Sequence, residues 1–345
     1  MRKNSGIARL VCVFAICIAL IGYNAYSFCF KGRTVKNVIT QNPVQEETAS
    51  EEEKNEKENA QREDTLSSQE ETESAPASTD GSVKGKVISR YISPYSAGLS
   101  YNGVYMKNST DLEINIKELL SAPLGFKIAK NDSPQVLIVH THTTETYMTE
   151  DADYYTSAFS SRTRDAQKNM VSVGNIVAEK LNQAGIKTLH DATEHDYPNY
   201  TGSYSRAAKT INSYLKKYPT IKVVLDLHRD AVSSGDSDKV KLVTEINGKK
   251  AAQVMLVMGS QSGSVTNFPK WKENLKLAVR LQQKIEEKYP TLARPLSLMP
   301  KNYNESLTTG SLLIEFGTDV NTLSEAHYSA ELVGDAIAEL LGGLT

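Results

Sequence analysis

Val136-Leu137-Ile138-Val139-His140-Thr141-His142-Thr143-Thr144-Glu145 is the stretch on which the fold of this chain turns. After Pro134 and Gln135 the run is apolar without a break to Val139, the pattern of a strand buried on both faces. It then ends abruptly in imidazoles, hydroxyls and a carboxylate. Two later stretches repeat the form. Ile221–Leu227 runs into His228, Arg229 and Asp230, and Leu312–Phe316 carries Glu315 near its end. Between them lie segments of helical period at 166–184, 204–217, 270–288 and 322–341, punctuated by Gly185, Pro219 and Pro290. Ile186–His190 reads as a short strand. Lys239–Ile246 and Ala251–Met258, joined through Asn247-Gly248, read as a hairpin. Buried strands separated by helices predict an α/β fold over residues 86–345: a mainly parallel sheet with helices on both faces.

Ligands of open α/β sheets bind beyond the carboxyl ends of the strands. Parallel order would bring the three polar strand ends to one rim. His142 and Glu145 stand three apart in a tight turn, and His228 comes from a separate strand. Together they form a His₂Glu set of the kind that holds catalytic zinc and leaves one position to water. His140, two residues before His142, is an alternative ligand or a partner that holds the ligand in place. Asp226 is expected to point away from His228 and to orient a neighbour. Arg229 is read either as a clamp on a substrate carboxylate or as a salt-bridge partner of Asp226 or Asp230. Glu315 sits among Leu312, Leu313, Ile314 and Phe316. Burial there should raise its pKa, which suits a group that takes a proton from water and passes it to a leaving amine; the alternative is a buried ion pair. The segment His195-Asp196-Tyr197-Pro198, continuing through Tyr200, Tyr204 and Arg206, reads as a substrate wall or as packing on the sheet edge.

Across the 345 residues the net charge is −2, but it is unevenly spread. Residues 1–44 hold six basic and no acidic residues, and residues 45–74 hold twelve acidic against three basic. The remainder is near neutral, which argues against a nucleic-acid partner. Cys12, Cys17 and Cys29 are the three cysteines, so the body has neither a disulfide framework nor a cysteine zinc site. Residues 10–30 carry no charge and are long enough to cross a hydrocarbon core of roughly 30 Å. Arg2, Lys3 and Arg9 precede them and orient the N-terminus inward. The expected plan is a cytoplasmic tip (1–9), a transmembrane helix (10–30), a disordered acidic linker (31–85) and an extracytoplasmic body (86–345). A cleaved signal peptide is the rival reading of the apolar segment.

Four strings, VLIVHTHTTETY (136–147), HDYPNYTGSYSRA (195–207), VVLDLHRDA (223–231) and LLIEFGTDVNTLSEA (312–326), resemble the stage II sporulation protein P family in content and order. The resemblance extends over roughly residues 100–345. It implies a catalytic domain related to zinc-dependent N-acetylmuramoyl-L-alanine amidases, with His142, Glu145 and His228 as Zn²⁺ ligands and Glu315 as acid and base. The wider amidase group takes its ligand glutamate from the start of the helix after the first histidine. Here that position reads Ala166-Gln167-Lys168-Asn169-Met170, so Glu145 must supply the carboxylate. The resemblance also implies peptidoglycan as substrate, a role in engulfment during sporulation, and a membrane complex with stage II sporulation proteins D and M. A cross-link endopeptidase using the same site, and a non-catalytic wall-binding module, are the alternatives.

Overall fold

The computed structural model describes residues 81–344. The predicted tip and transmembrane helix, and the linker up to residue 80, lie outside the described residues. Among the described residues no helix is long and apolar enough to cross a membrane. The strands in chain order are β1 (Val83–Arg90), β2 (Leu99–Tyr101), β3 (Val104–Asn108), β4 (Val136–Val139), β5 (Tyr154–Thr156), β6 (Thr188–His190), β7 (Val223–Asp230), β8 (Ser233–Ser234), β9 (Asp238–Ile246), β10 (Lys249–Ala252), β11 (Val254–Gly259), β12 (Leu296–Met299) and β13 (Ser311–Thr318). The helices of more than one short turn are α1 (Ile116–Ser121), α2 (Met170–Gln183), α3 (Ser203–Lys217), α4 (Trp271–Lys288) and α5 (Leu323–Gly342). Strand β1 starts inside the segment read as linker, so ordered structure begins earlier than residue 86.

The main sheet has the order β2-β3-β12-β11-β13-β7-β4-β6. The pairings β3/β12, β12/β11, β13/β7, β7/β4 and β4/β6 are parallel, while β2/β3 and β11/β13 are antiparallel. The mainly parallel sheet expected from the apolar runs is therefore present, with an added antiparallel seam. Helices cover both faces, but unequally. Residues of α1, α2, α4 and α5 share one large apolar cluster with Ile138, Leu225, Leu227, Ile314 and Phe316. On the other face, Leu137, Val139 and Val224 pack with Ile211 of α3.

The chain starts and stops its helices by recognisable means. Asn169 caps α2 by accepting from the Val171 N–H, and Gly185 follows with φ 77°. Thr322 and Glu325 form a reciprocal capping box on α5. One expectation is corrected. Asn247-Gly248, both at positive φ, do turn a hairpin, but its arms are β9 and β10 only. At the fully buried Gln253 the chain leaves that pairing, and β11 enters the main sheet. The Gln253 side chain explains the break, because it bonds Ile92 N (2.8 Å), Ile92 O (3.0 Å) and Thr291 O (3.0 Å) across the junction. A second, smaller sheet, β10-β9-β1-β5 with β8 on β9, is thereby formed. Nothing in the sequence patterning announced it.

Candidate functional site

Register brings the polar strand ends together. Strand β13 runs parallel to β7 with Glu315 beside His228, and β4 runs parallel to β7 with Val139 beside Asp226. Residues two apart on a strand share a face, so Val224, Asp226, His228 and Asp230 all look toward the α3 side. This corrects the expectation for Asp226. It lies beside His228, with Oδ1 3.0 Å from Nε2, a contact outside hydrogen-bond alignment. Asp226 is itself held by the Thr141 N–H (2.8 Å) and hydroxyl (2.6 Å).

The imidazoles of His142 and His228 meet edge to face, with centroids 5.2 Å apart. The Glu145 Oε2 lies 3.7 Å from His228 Nδ1 and accepts from the Arg229 N–H at 3.2 Å. All three side chains are buried. Glu315 shares the site, and its Oε2 is buried without a hydrogen-bond partner. The Nδ1 of His142 is likewise buried and unpartnered.

Burial sets the electrostatics. It pushes the Glu145 carboxyl up, against the opposing pull of Arg229 and His228. It pushes Glu315 up to about 8, reinforced by Asp230. It holds His142 well below the ordinary histidine range, with His228 adding to the effect. His228 behaves oppositely. Burial pulls it down, but the Asp226 carboxylate overrides this and raises it to about 10.

Other residues of the site hold rather than react. His140 turns away from His142. Its Nδ1 faces the Leu227 carbonyl at 3.0 Å, and its Nε2 faces His190 Nε2 at 2.8 Å. Arg229 is buried, and its guanidinium donates to the carbonyls of Thr146 (3.3 Å) and Ser161 (2.9 Å). It is also 3.9 Å from Glu145 Oε1, so it fastens the loop that carries Glu145. Asp230 is taken instead by Arg294 (2.8 Å), a residue sequence reasoning passed over because it lies in a loop with no motif around it. The aromatic segment divides. Tyr200 and Tyr204 pack on His142, whereas Tyr197 stays exposed beneath the Arg164 guanidinium, 4.1 Å above its ring.

The donor types, two imidazoles and a carboxylate, are ones zinc takes, and His142 Nδ1 and His228 Nε2 are buried without hydrogen-bond partners. Among the described residues, no three His, Cys, Asp or Glu side chains already stand within coordinating reach of one point. His142, Glu145 and His228 are neighbours in the fold.

Fold and site define an α/β protein with a buried imidazole–carboxylate cluster at the carboxyl rim of its sheet. The model of the family described as Stage II sporulation protein P matches residues 18–338, and the chain belongs to that family. Stage II sporulation protein P of Bacillus subtilis (strain 168) is 28% identical over 252 residues, 66% of this chain and 58% of that protein. The chain thus spans less than two thirds of that relative's length. Among solved structures, the N-acetylmuramyl-L-alanine amidase Ami1 of Mycobacterium abscessus is similar at 12% identity and TM-score 0.36, covering 61% of this chain and 99% of that one. The N-acetylmuramoyl-L-alanine amidase AmiC2 of Nostoc punctiforme is similar at 13% identity and TM-score 0.35, covering 62% and 96%.

Proposed function

We propose that the body is a zinc-dependent peptidoglycan hydrolase that cleaves the amide between N-acetylmuramic acid and the stem peptide. The observation that carries this reading is the meeting of His142, His228 and Glu145 beside the half-buried Glu315, whose Oε2 is buried without a hydrogen-bond partner, at one strand-end rim. His142, Glu145 and His228 would hold the ion. Zinc in such a site polarises a carbonyl and makes a water acidic at neutral pH. Glu315, with its carboxyl raised to about 8, is suited to receive the proton from that water. It then returns the proton to the amine as the carbon–nitrogen bond breaks, so one water is consumed for each amide cut. Arg229 and Asp226 keep Glu145 and His228 in place. Membership of the family supports a role in sporulation. Tethering by residues 10–30, an extracytoplasmic position between the membranes of the sporulating cell, and assembly with stage II sporulation proteins D and M belong to the same proposal.

The test is metal analysis and digestion of purified cell wall by the full chain, beside His228→Ala and Glu315→Gln. The expected result is zinc in the wild type, loss of zinc in His228→Ala, and zinc without digestion in Glu315→Gln. Wild-type rates in His228→Ala would reject the assignment. Products of bare glycan and intact stem peptides identify the muramoyl amide as the scissile bond. Severed cross-links would move it to the peptide.

A further inference from the structure

The register of the main sheet continues sideways from the site. His228 pairs with Glu315, and Glu315 pairs in turn with Met255 of β11. Two residues earlier on β13, Leu313 pairs with Val257, Val257 with Ser297, and Ser297 with Lys107 of β3. Paired residues share a face, and so do residues two apart on one strand. Tyr105, two before Lys107, therefore faces the same side as Glu315, two after Leu313. Strands β11, β12 and β3 run against β13, so both steps lead toward the same end of the sheet. Three strand spacings, about 14 Å, separate Glu315 from Tyr105.

This part of the face carries no helix among the described residues. Val104, Met106, Val254, Leu256, Leu296 and Leu298 turn into the large apolar cluster on the opposite face, and α3 sits over β4 and β7. The alternate residues Tyr105, Met255, Ser297 and Met299 are only half-buried. At the outer end Tyr95, from the short turn Pro94–Ser96, sets its ring edge-on to Tyr105, with centroids 5.1 Å and planes 79° apart. The Tyr95 hydroxyl donates to Glu286 at 2.8 Å, yet the residue is 55% exposed. A carboxylate thus fixes an aromatic ring that stands in water.

Strand β3 is already paired on both sides, with β2 and β12. A peptide cannot add to it through its backbone, so this corner offers ring faces and hydroxyls. A β-linked pyranose with equatorial substituents presents a flat array of axial C–H bonds. These are positively polarised and pack on the negative face of an aromatic ring, while the sugar hydroxyls stay solvated. We propose that the row from Met255 to the Tyr95–Tyr105 corner is a subsite for the glycan strand of the cell wall, with a sugar ring stacked at Tyr95. The choice of polymer rests on the hydrolase reading. The corner lies past the sugar that carries the scissile amide and takes one further along the same strand.

The test uses the full chain purified in detergent, as wild type, Tyr95→Ala and Tyr95→Trp. Tyr154→Ala, a comparably exposed tyrosine of β5 in the smaller sheet, is the control. The probe is peptide-free glycan from cell wall stripped of its stem peptides, with binding followed by calorimetry. The wild type should bind it. Tyr95→Ala should weaken binding about 3–10-fold, the scale of one ring contact. Tyr95→Trp should restore it, and Tyr154→Ala should leave it unchanged. On intact wall Tyr95→Ala should raise KM and keep kcat, whereas cleavage of a single disaccharide-peptide, too short to reach the corner, should not change. Absence of glycan binding in the wild type, equal binding in Tyr95→Ala, or a loss of affinity for free stem peptides instead of glycan would overturn the inference. Glycan binding that depends on Tyr95 in a chain that cuts no wall would uphold the subsite and reject the hydrolase reading.

Discussion

Glu315 illustrates how far a single environment can move one carboxyl. Its ordinary pKa is 4.5, and in the fold burial and Asp230 take it to about 8. Between those values the metal-free folded state keeps a proton that the unfolded chain has released. Its contribution to stability is therefore fully present below pH 4.5 and falls as pH rises toward 8. Denaturant titrations of the metal-free chain should show this decline, and Glu315→Gln should flatten it. The same substitution should lower wall digestion by about 10²–10⁴-fold, the usual scale for losing a general acid–base group. The convergence of Glu315, His142, Glu145 and His228 was legible in the sequence because His228 and Glu315 interrupt apolar strands β7 and β13, and His142 and Glu145 lie in the turn that follows apolar β4. Arg294 and the inward turn of Arg229 were not legible. Their partners, Asp230 for one and the carbonyls of Thr146 and Ser161 for the other, are set by tertiary contacts between segments far apart in the chain.

Helix α2 shows what an element must give up to pack here. Its Gly174 lies against the His140–His190 pair, and a Cβ at that position would stand 2.5 Å from His190 Nε2 and 2.7 Å from His140 Nε2. Alanine would favour the helix by up to about 1 kcal/mol, but overpacking a closed core costs about 1–3 kcal/mol. With His140 fully buried and no room to yield, the clash wins. Gly174→Ala should lower the Tm, and adding His190→Ala should recover part of the loss in a double-mutant cycle. At the start of α5, Thr322→Ala removes half of the capping box and should cost about 1 kcal/mol. The long elements α2 to α5 and the buried strands β4, β7 and β13 followed from periodicity and stop signals. The short strands β1, β2, β5 and β12 did not, since three to eight residues of mixed polarity carry too little pattern to stand out from loop. The hairpin reading failed past Ala252 for a different reason: Gln253 leaves the ladder to bond Ile92 and Thr291, which only the folded chain brings near.

At the scale of the molecule, the two sheets are joined by buried polar contacts as well as by chain continuity. The Thr318 hydroxyl donates to the Val240 carbonyl at 2.8 Å, and the Asn321 amide donates to the Leu242 carbonyl at 3.1 Å. Gln253 makes the third link. Gln253→Leu would strand the Ile92 and Thr291 groups without partners, at about 1–3 kcal/mol for each one left unpaired. Thermal unfolding should move down by several degrees with the site residues untouched. The position of β1 has a mechanical consequence. It is hydrogen-bonded on both sides, antiparallel to β5 and parallel to β9. The β5 ladder covers Val83–Lys86 and the β9 ladder Val87–Arg90, so tension along the strand from its N-terminal end loads the two in succession, in shear, and this end of the body resists a pull without being peeled open bond by bond.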